Sequence, residues 1–429
     1  MSTSAPNSPE RQPSKAGGNT VRAAFIPLLD CAVLVVAAEK GFAQNHDIDL
    51  KLTRENSWAN IRDRVSIGHF EVAHMLAPLP IASTMGIGHL AVPMVTPMAL
   101  GQGGGVITVS VDLWQAMASA GATRDGDPVS AGMALRQVVT TRAHLGRPPL
   151  TFGMVYPFST HNYVLRYWLA ASGIHPDRDV RLVVIPPPFT VDALAAGHID
   201  AFCVGEPWNS LAVAAGVGRI ATTKVAIWQD GPDKVLGMRE EWAENNPELL
   251  SRLVVAMHEA AVWCDDPDNH AELAHLMGGP RYLDCPADVL RRGLSGHLLL
   301  APGIETTVPD FLVFSRQAAT FPWISHALWL FSQMVRWGQM PLTLGGIQAA
   351  RRTFRPDLYR AALTGLDIPI PSANAKVEGA LSMLTPVASS NGKLMLGPDR
   401  FFDGMTFDPE RLQEYVGAFS IRTDTPDHG

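Results

Sequence analysis

The sequence predicts an α/β protein of two lobes, and three observations carry that prediction. Strand-like and helix-like segments alternate over the first hundred residues and the alternation restarts near residue 150, the pattern of helices packed on mostly parallel sheets. At 429 residues the chain is too long for one simple core. Its 37 glycines and 33 prolines suit a chain with many short strand–helix connections.

The elements follow in order. Residues 1–20 are rich in Ser, Pro, Gly and Asn and read as a disordered tail. VRAAFIP (21–27) is a strand, after which Asp30 can cap a helix ending near Gly41. IDLKLTREN (48–56) is a second strand, and Ser57 can cap WANIRDRVSIG. EVAHMLAP (71–78) and VITVS (106–110) add two more strands, with the GQGGG run at 101–105 before the latter. In the second series LTFGMVYP is strand-like, Ser159 or Thr160 can cap HNYVLRYWLAAS, and Gly173 stops that helix. VRLVVIPPP (180–188) and IDAFCVGEP (199–207) are strands flanking TVDALAAG. Beyond about 225 the pattern turns helical: Asn246-Pro247 opens PELLSRLVVAMHEAAVWC, and Trp323, Trp329 and Trp337 mark helical packing. The last 90 or so residues are loop-rich. The expected organisation is one lobe from 21–110 and about 225–429, with the loop-rich extension at its end, and a second lobe from about 111–224.

Composition narrows the function. A formal net charge of −7 argues against direct nucleic-acid binding. No apolar stretch of about 18 residues occurs, and residues 1–20 hold no apolar run of the kind a secretory signal requires, so the expected location is cytoplasmic, off the membrane. The four cysteines (Cys31, Cys203, Cys264, Cys285) lack close metal-type spacing and read as reduced structural thiols. There is no G-x-S-x-G elbow and no H-E-x-x-H motif, and Asp265-Asp266-Pro267-Asp268 reads as a turn after a helix. GQGGG lacks the Lys and Ser/Thr ending of a phosphate loop and reads instead as a flexible crossing between lobes, with Gln102 within reach of a ligand.

What remains is an anion-binding pattern. DAFCVGEPWN (200–209) ends a strand at Gly205, where backbone N–H groups are approachable, and Lys234 follows in GPDKVLG with a compact charge and three donors. Ser57-Trp58 and Ser159-Thr160-His161 lie at strand-to-helix junctions, the places where helix N-termini present free donors in α/β proteins. The indole of Trp58 is a donor with no acceptor, and His161 can donate beside the exposed N–H groups. Each also has a plainer reading: Trp58 as core packing, His161 as a satisfied histidine, Lys234 as a solvated charge.

RYWLAASGIHPDRDVRLVVIPPP (166–188), DAFCVGEPWN (200–209), the stretch from Trp228 to Trp242 and SWANIRDRVSIGHFEVAHMLAPLP (57–80) resemble the nitrate-binding protein family of bacterial uptake systems, over about residues 21–390. The resemblance implies a two-lobed periplasmic-binding-protein-like fold (type II, two lobe crossings), with nitrate, nitrite or bicarbonate held in the interlobe cleft. Position by position, it implies ligand contacts at Trp58, His161, Gly205 and Lys234; the family's glutamine falls near Gly105, where Gln102 is the local glutamine. Bicarbonate-binding relatives carry an acidic residue at the position of Lys234 and recruit calcium, so Lys234 implies nitrate or nitrite with no metal and no cofactor. With no signal segment in residues 1–20, the chain resembles most the cytoplasmic nitrate/nitrite sensors of the NasS group. These are implied to hold a NasT-like, ANTAR-type RNA-binding antiterminator inactive until the anion binds. The expectation is a non-enzymatic sensor; the alternatives are the binding component of a nitrate ABC transporter and, more remotely, an enzyme on the same fold. Lys234→Glu is expected to abolish anion binding with little loss of fold.

Overall fold

Runs of Val, Ala, Met and Leu bounded by Pro and Gly form the strands. The computed structural model describes residues 19–88 and 91–423; the tail expected over 1–20 lies, but for its last two residues, outside them. The strands of the first half are β1 (Thr20–Phe25), β2 (Asp49–Arg54), β3 (Val72–Leu76), β4 (Met94–Ala99), β5 (Gln102–Gly103) and β6 (Gly105–Ser110). They continue with β7 (Thr151–Met154), β8 (Arg181–Val184), β9 (Ala201–Gly205), β10 (Gly218–Thr223) and β11 (Lys234–Arg239).

Two five-stranded sheets result, ordered β2-β1-β3-β11-β4 and β10-β6-β9-β7-β8. Central strands β3 and β9 are buried at every position, which is why VAHML and AFCVG show continuous apolar character with a single polar interruption at His74. β1 runs parallel to β2 and β3, while β11 runs antiparallel to β3 and β4. In the second sheet β7 is parallel to β8 and β9, and β6 is antiparallel to β9 and β10.

The structure departs from the sequence reading at identifiable points. β4 and β11 were not expected. Pro97 inside PMVTPMAL argues against a strand, but β4 is the last strand of its sheet, where proline is tolerated. β6 belongs to the second sheet, so the change of sheet falls at the glycine run and not at 110. Asp30 caps no helix: the helix Ala32–Glu39 starts after Cys31 with no side-chain cap, and the Asp30 carboxylate turns inward. Ser159 does cap, accepting from Asn162 N at 3.0 Å.

Two segments carry the chain between the sheets, residues 100–104 outward and 224–233 back. They lie side by side, with Leu100 N donating to Lys234 O at 2.9 Å and Gln102 bridging to Pro232. The outward segment is packed, not flexible as expected. β5 pairs with the two-residue strand Leu312–Val313, and a Cβ on Gly103 would meet the Phe311 carbonyl oxygen at 2.2 Å. Two independent constraints thus require glycine at 103: no room for a side chain, and a left-handed φ of 79°.

The C-terminal third adds helices to the first sheet, among them Pro247–Asp265 and the almost wholly buried Ile324–Arg336. Asp265 closes the first of these, its carboxylate accepting from the backbone N–H groups of Phe314, Ser315 and Arg316. No helix among the described residues is long and apolar enough to cross a membrane.

Candidate functional site

The carboxyl ends of the parallel strands in the first sheet and the end of β9 in the second converge on one buried cluster. Lys234, the first residue of β11, pairs in register with Leu76 at the end of β3. Gly205, the last residue of β9, pairs with Gly105 at the start of β6. Trp58 opens the helix Trp58–Ser66, and Thr160 and His161 open the helix Thr160–Ala171. This is the strand-end, helix-start geometry in which α/β folds bind ligands.

Charge pairs organise the cluster. Lys234 Nζ lies 2.7 Å from Asp30 Oδ2 and 3.0 Å from Asp233 Oδ2. Lys224 Nζ lies 3.2 Å and His161 Nε2 3.5 Å from the same Asp233 oxygen. Behind them, His74 Nε2 is 2.9 Å from Asp30 Oδ1. Trp58 covers one side, its ring 5.7 Å from Lys234 Nζ, within cation–π range, and 5.4 Å from the His74 ring. Trp58, His74, His161, Lys224, Asp233 and Lys234 are all at most 2% exposed.

Burial and pairing set the protonation states. For Lys234, burial would lower the pKa, but Asp233 and Asp30 outweigh it and hold the ammonium charged. Lys224, with Asp233 as its main charge partner, is left below the usual lysine range by burial. Burial also pushes His161 down to about 3 against the pull of Asp233, so its ring is neutral near pH 7. Asp233 feels burial too, but His161, Lys224 and Lys234 keep its carboxyl below the usual range. Two ammonium groups thus face two carboxylates.

Several polar atoms here carry no hydrogen bond: Trp58 Nε1, Lys224 Nζ, Thr160 Oγ1 and both nitrogens of the neutral His161 ring, one of which is a donor. Buried polar groups are almost always satisfied, and donors left over beside buried ammonium groups are the chemistry of a small-anion receptor.

The structure therefore brings Trp58, His161 and Lys234 together, and Gly205 borders them. A Cβ on Gly205 would stand 3.3 Å from Asp30 Oδ2, so the glycine admits the Asp30–Lys234 pair at close range. Gln102 lines a cavity of about 320 Å³ with Thr223, Gln229 and Asp230, and its buried side-chain nitrogen makes no hydrogen bond.

Lys224, Asp233, Asp30, His74 and Thr160 escaped sequence reasoning as members of this cluster. Two signals were present. Asp30 and His74 interrupt apolar runs (IPLLDCAVLVV and VAHML), where a polar group requires a partner. Lys224 follows the buried strand β10 and Gly105 faces it: a Cβ there would meet Lys224 Cδ at 2.2 Å. That second relation is invisible before the fold is known.

Residues 14–278 match the NMT1-like family. The chain is 30% identical over 426 residues to the nitrate/nitrite binding protein NrtA of Nostoc sp., covering 98% of this chain and 88% of that protein. It is 35% identical over 406 residues to the nitrate import ATP-binding protein NrtC of Synechocystis sp., covering 93% of this chain but 55% of that protein. The chain thus spans about half the length of that relative. Among solved structures it is similar to the periplasmic nitrate-binding protein NrtA from Synechocystis PCC 6803, with 28% identity and a TM-score of 0.81, covering 94% of this chain and 99% of the other. The fold is the two-lobed periplasmic-binding-protein fold, as the sequence predicted.

Proposed function

The chain belongs to the NMT1-like family, and on that premise we propose that it binds nitrate or nitrite in the cluster around Lys234 and Lys224. One observation carries the reading: beside the ion-paired Lys234, the buried polar groups of Trp58, His161 and Lys224 make no hydrogen bond, although His161 and Lys224 both stand near the Asp233 carboxylate. Nitrate is a planar, weakly hydrated monoanion with three acceptor oxygens. An indole N–H, a hydroxyl, an imidazole and an ammonium suit it, and burial strengthens each contact. The resident ammonium groups leave no need for a metal. The proposed activity is binding, without catalysis. Calorimetry with nitrate, nitrite, bicarbonate and chloride tests it; binding of bicarbonate and not of nitrate would overturn it.

For the role, we propose a cytoplasmic nitrate/nitrite sensor that holds a NasT-like RNA-binding antiterminator and releases it when the anion closes the lobes. The protein itself would touch neither nucleic acid nor membrane. Support comes from the resemblance set out above. Coupling requires the anion to prefer the free protein over the complex. The second reading, the binding component of a nitrate importer, is favoured by the transport names of the relatives. A purified complex with the antiterminator that nitrate dissociates, and that chloride and sulfate leave intact at equal ionic strength, decides for the sensor. Absence of any such complex decides for the importer.

A further inference from the structure

A second buried charge cluster forms at Asp230 on the return crossing, with partners distinct from those of the proposed anion site. Asp230, on that crossing, meets His326 at the start of the helix Ile324–Arg336 and Glu378 of the C-terminal extension. Lys376 Nζ binds the outer oxygens: Glu378 Oε2 at 2.5 Å, Asp399 Oδ2 at 2.7 Å and Asp230 Oδ2 at 3.2 Å. One ammonium against three carboxylates leaves two negative charges in a dry environment, which is unfavourable unless something cationic completes it.

The inner side of the cluster shows where. Glu378 Oε1 and His326 Nε2, on residues no more than 2% exposed, carry no hydrogen bond. They stand 3.5 Å apart, too long for a good hydrogen bond. Two ligands of one tetrahedral zinc ion, each about 2.0–2.1 Å from the metal, lie about 3.3 Å apart. One ligand atom from each of Asp230, His326 and Glu378 falls within 4.8 Å of the other two. Asp230 also lines the cavity of about 320 Å³ beside Gln102 and Gln229.

We propose that Asp230, His326 and Glu378 form a binding site for a divalent transition-metal ion of the zinc class. One imidazole and two carboxylates match that ion's preferences, and its two charges cancel the excess that Lys376 leaves. A bound ion ties three separate segments, among them the crossing whose next residues, Asp233 and Lys234, form the anion cluster. Its role is structural, and it stands independently of the nitrate reading.

The test is metal retention by the intact chain. After incubation with Zn²⁺ and desalting, elemental analysis should find about one ion per chain, and added Zn²⁺ should raise the Tm of the chelator-treated protein. Co²⁺ in the same site should give the visible absorption of a four-coordinate ion, lost in His326→Gln and in Glu378→Gln. A wild-type chain that retains no metal overturns the proposal whatever the variants do. So does a Co²⁺ spectrum that folded His326→Gln leaves unchanged, since the ion then sits elsewhere.

Discussion

Lys224→Met separates anion binding from folding better than any other single change. Lys224 Nζ is buried, stands 3.2 Å from Asp233 and holds no aligned hydrogen bond, so its donors are available to an anion. A hydrogen bond to a charged group contributes about 1.5–3 kcal/mol, and its loss should weaken nitrate binding roughly 10- to 150-fold. The variant also moves the cluster from two cations against two carboxylates to one against two, which further disfavours an anion. Folding should suffer less. Asp233 keeps Lys234 at 3.0 Å, so the penalty stays below the roughly 3–5 kcal/mol of a buried charge left alone, and the methionine stem fills the space beside Gly105. Isothermal calorimetry with nitrate, paired with a denaturant melt, reads both quantities. Native-like stability with an unchanged Kd would refute the placement of Lys224 in the site. Lys234→Glu is the poorer probe. Contrary to the sequence-based expectation, it would set a third carboxylate against Asp30 and Asp233 in a dry cluster, and the fold itself should fail.

Other outcomes follow from the same contacts. Trp58→Phe removes a neutral donor but keeps the ring, so nitrate binding should weaken by roughly 2- to 12-fold with little change in Tm; a larger loss with a lowered Tm would mean the indole is structural. Gly105→Ala puts a methyl 2.2 Å from Lys224 Cδ; the strain should be about 1–3 kcal/mol, seen as a lower denaturation midpoint together with weaker nitrate binding. Burial raises the Glu206 carboxyl from 4.5 to about 7, so the folded chain keeps a proton that the unfolded chain releases. That contribution to stability is complete below pH 4.5 and is lost as pH rises through about 7. Glu206→Gln should therefore raise Tm at pH 8 relative to the parent and leave it nearly unchanged at pH 4; equal shifts at both would show that Glu206 is not the titrating group.

The strand–helix alternation, the two junction helices and the glycine-ended strand β9 were legible because each rests on local chemistry. Apolar runs bounded by Gly and Pro, a serine that caps at Ser159, and a residue without a side chain where backbone must approach are all written in short windows. β4 was not legible, because Pro97 is acceptable only at a sheet edge, and edges are a property of the assembled sheet. Asp30 looked like a cap for the same reason: its real partners, His74 and Lys234, lie 44 and 204 residues away.

By itself, then, the sequence determined the α/β architecture and most of the residue types at the strand ends and helix starts where a small anion can be met. Only the tertiary structure decided which charges balance which. It joined Lys224 and Asp233 to Lys234, set Gln102 in the lining of a cavity with Thr223 and Asp230, and brought Asp230 to Glu378 and His326. The physical reason is that burial fixes the energy of a charge through whatever lies within a few ångströms, and those neighbours come from distant parts of the chain.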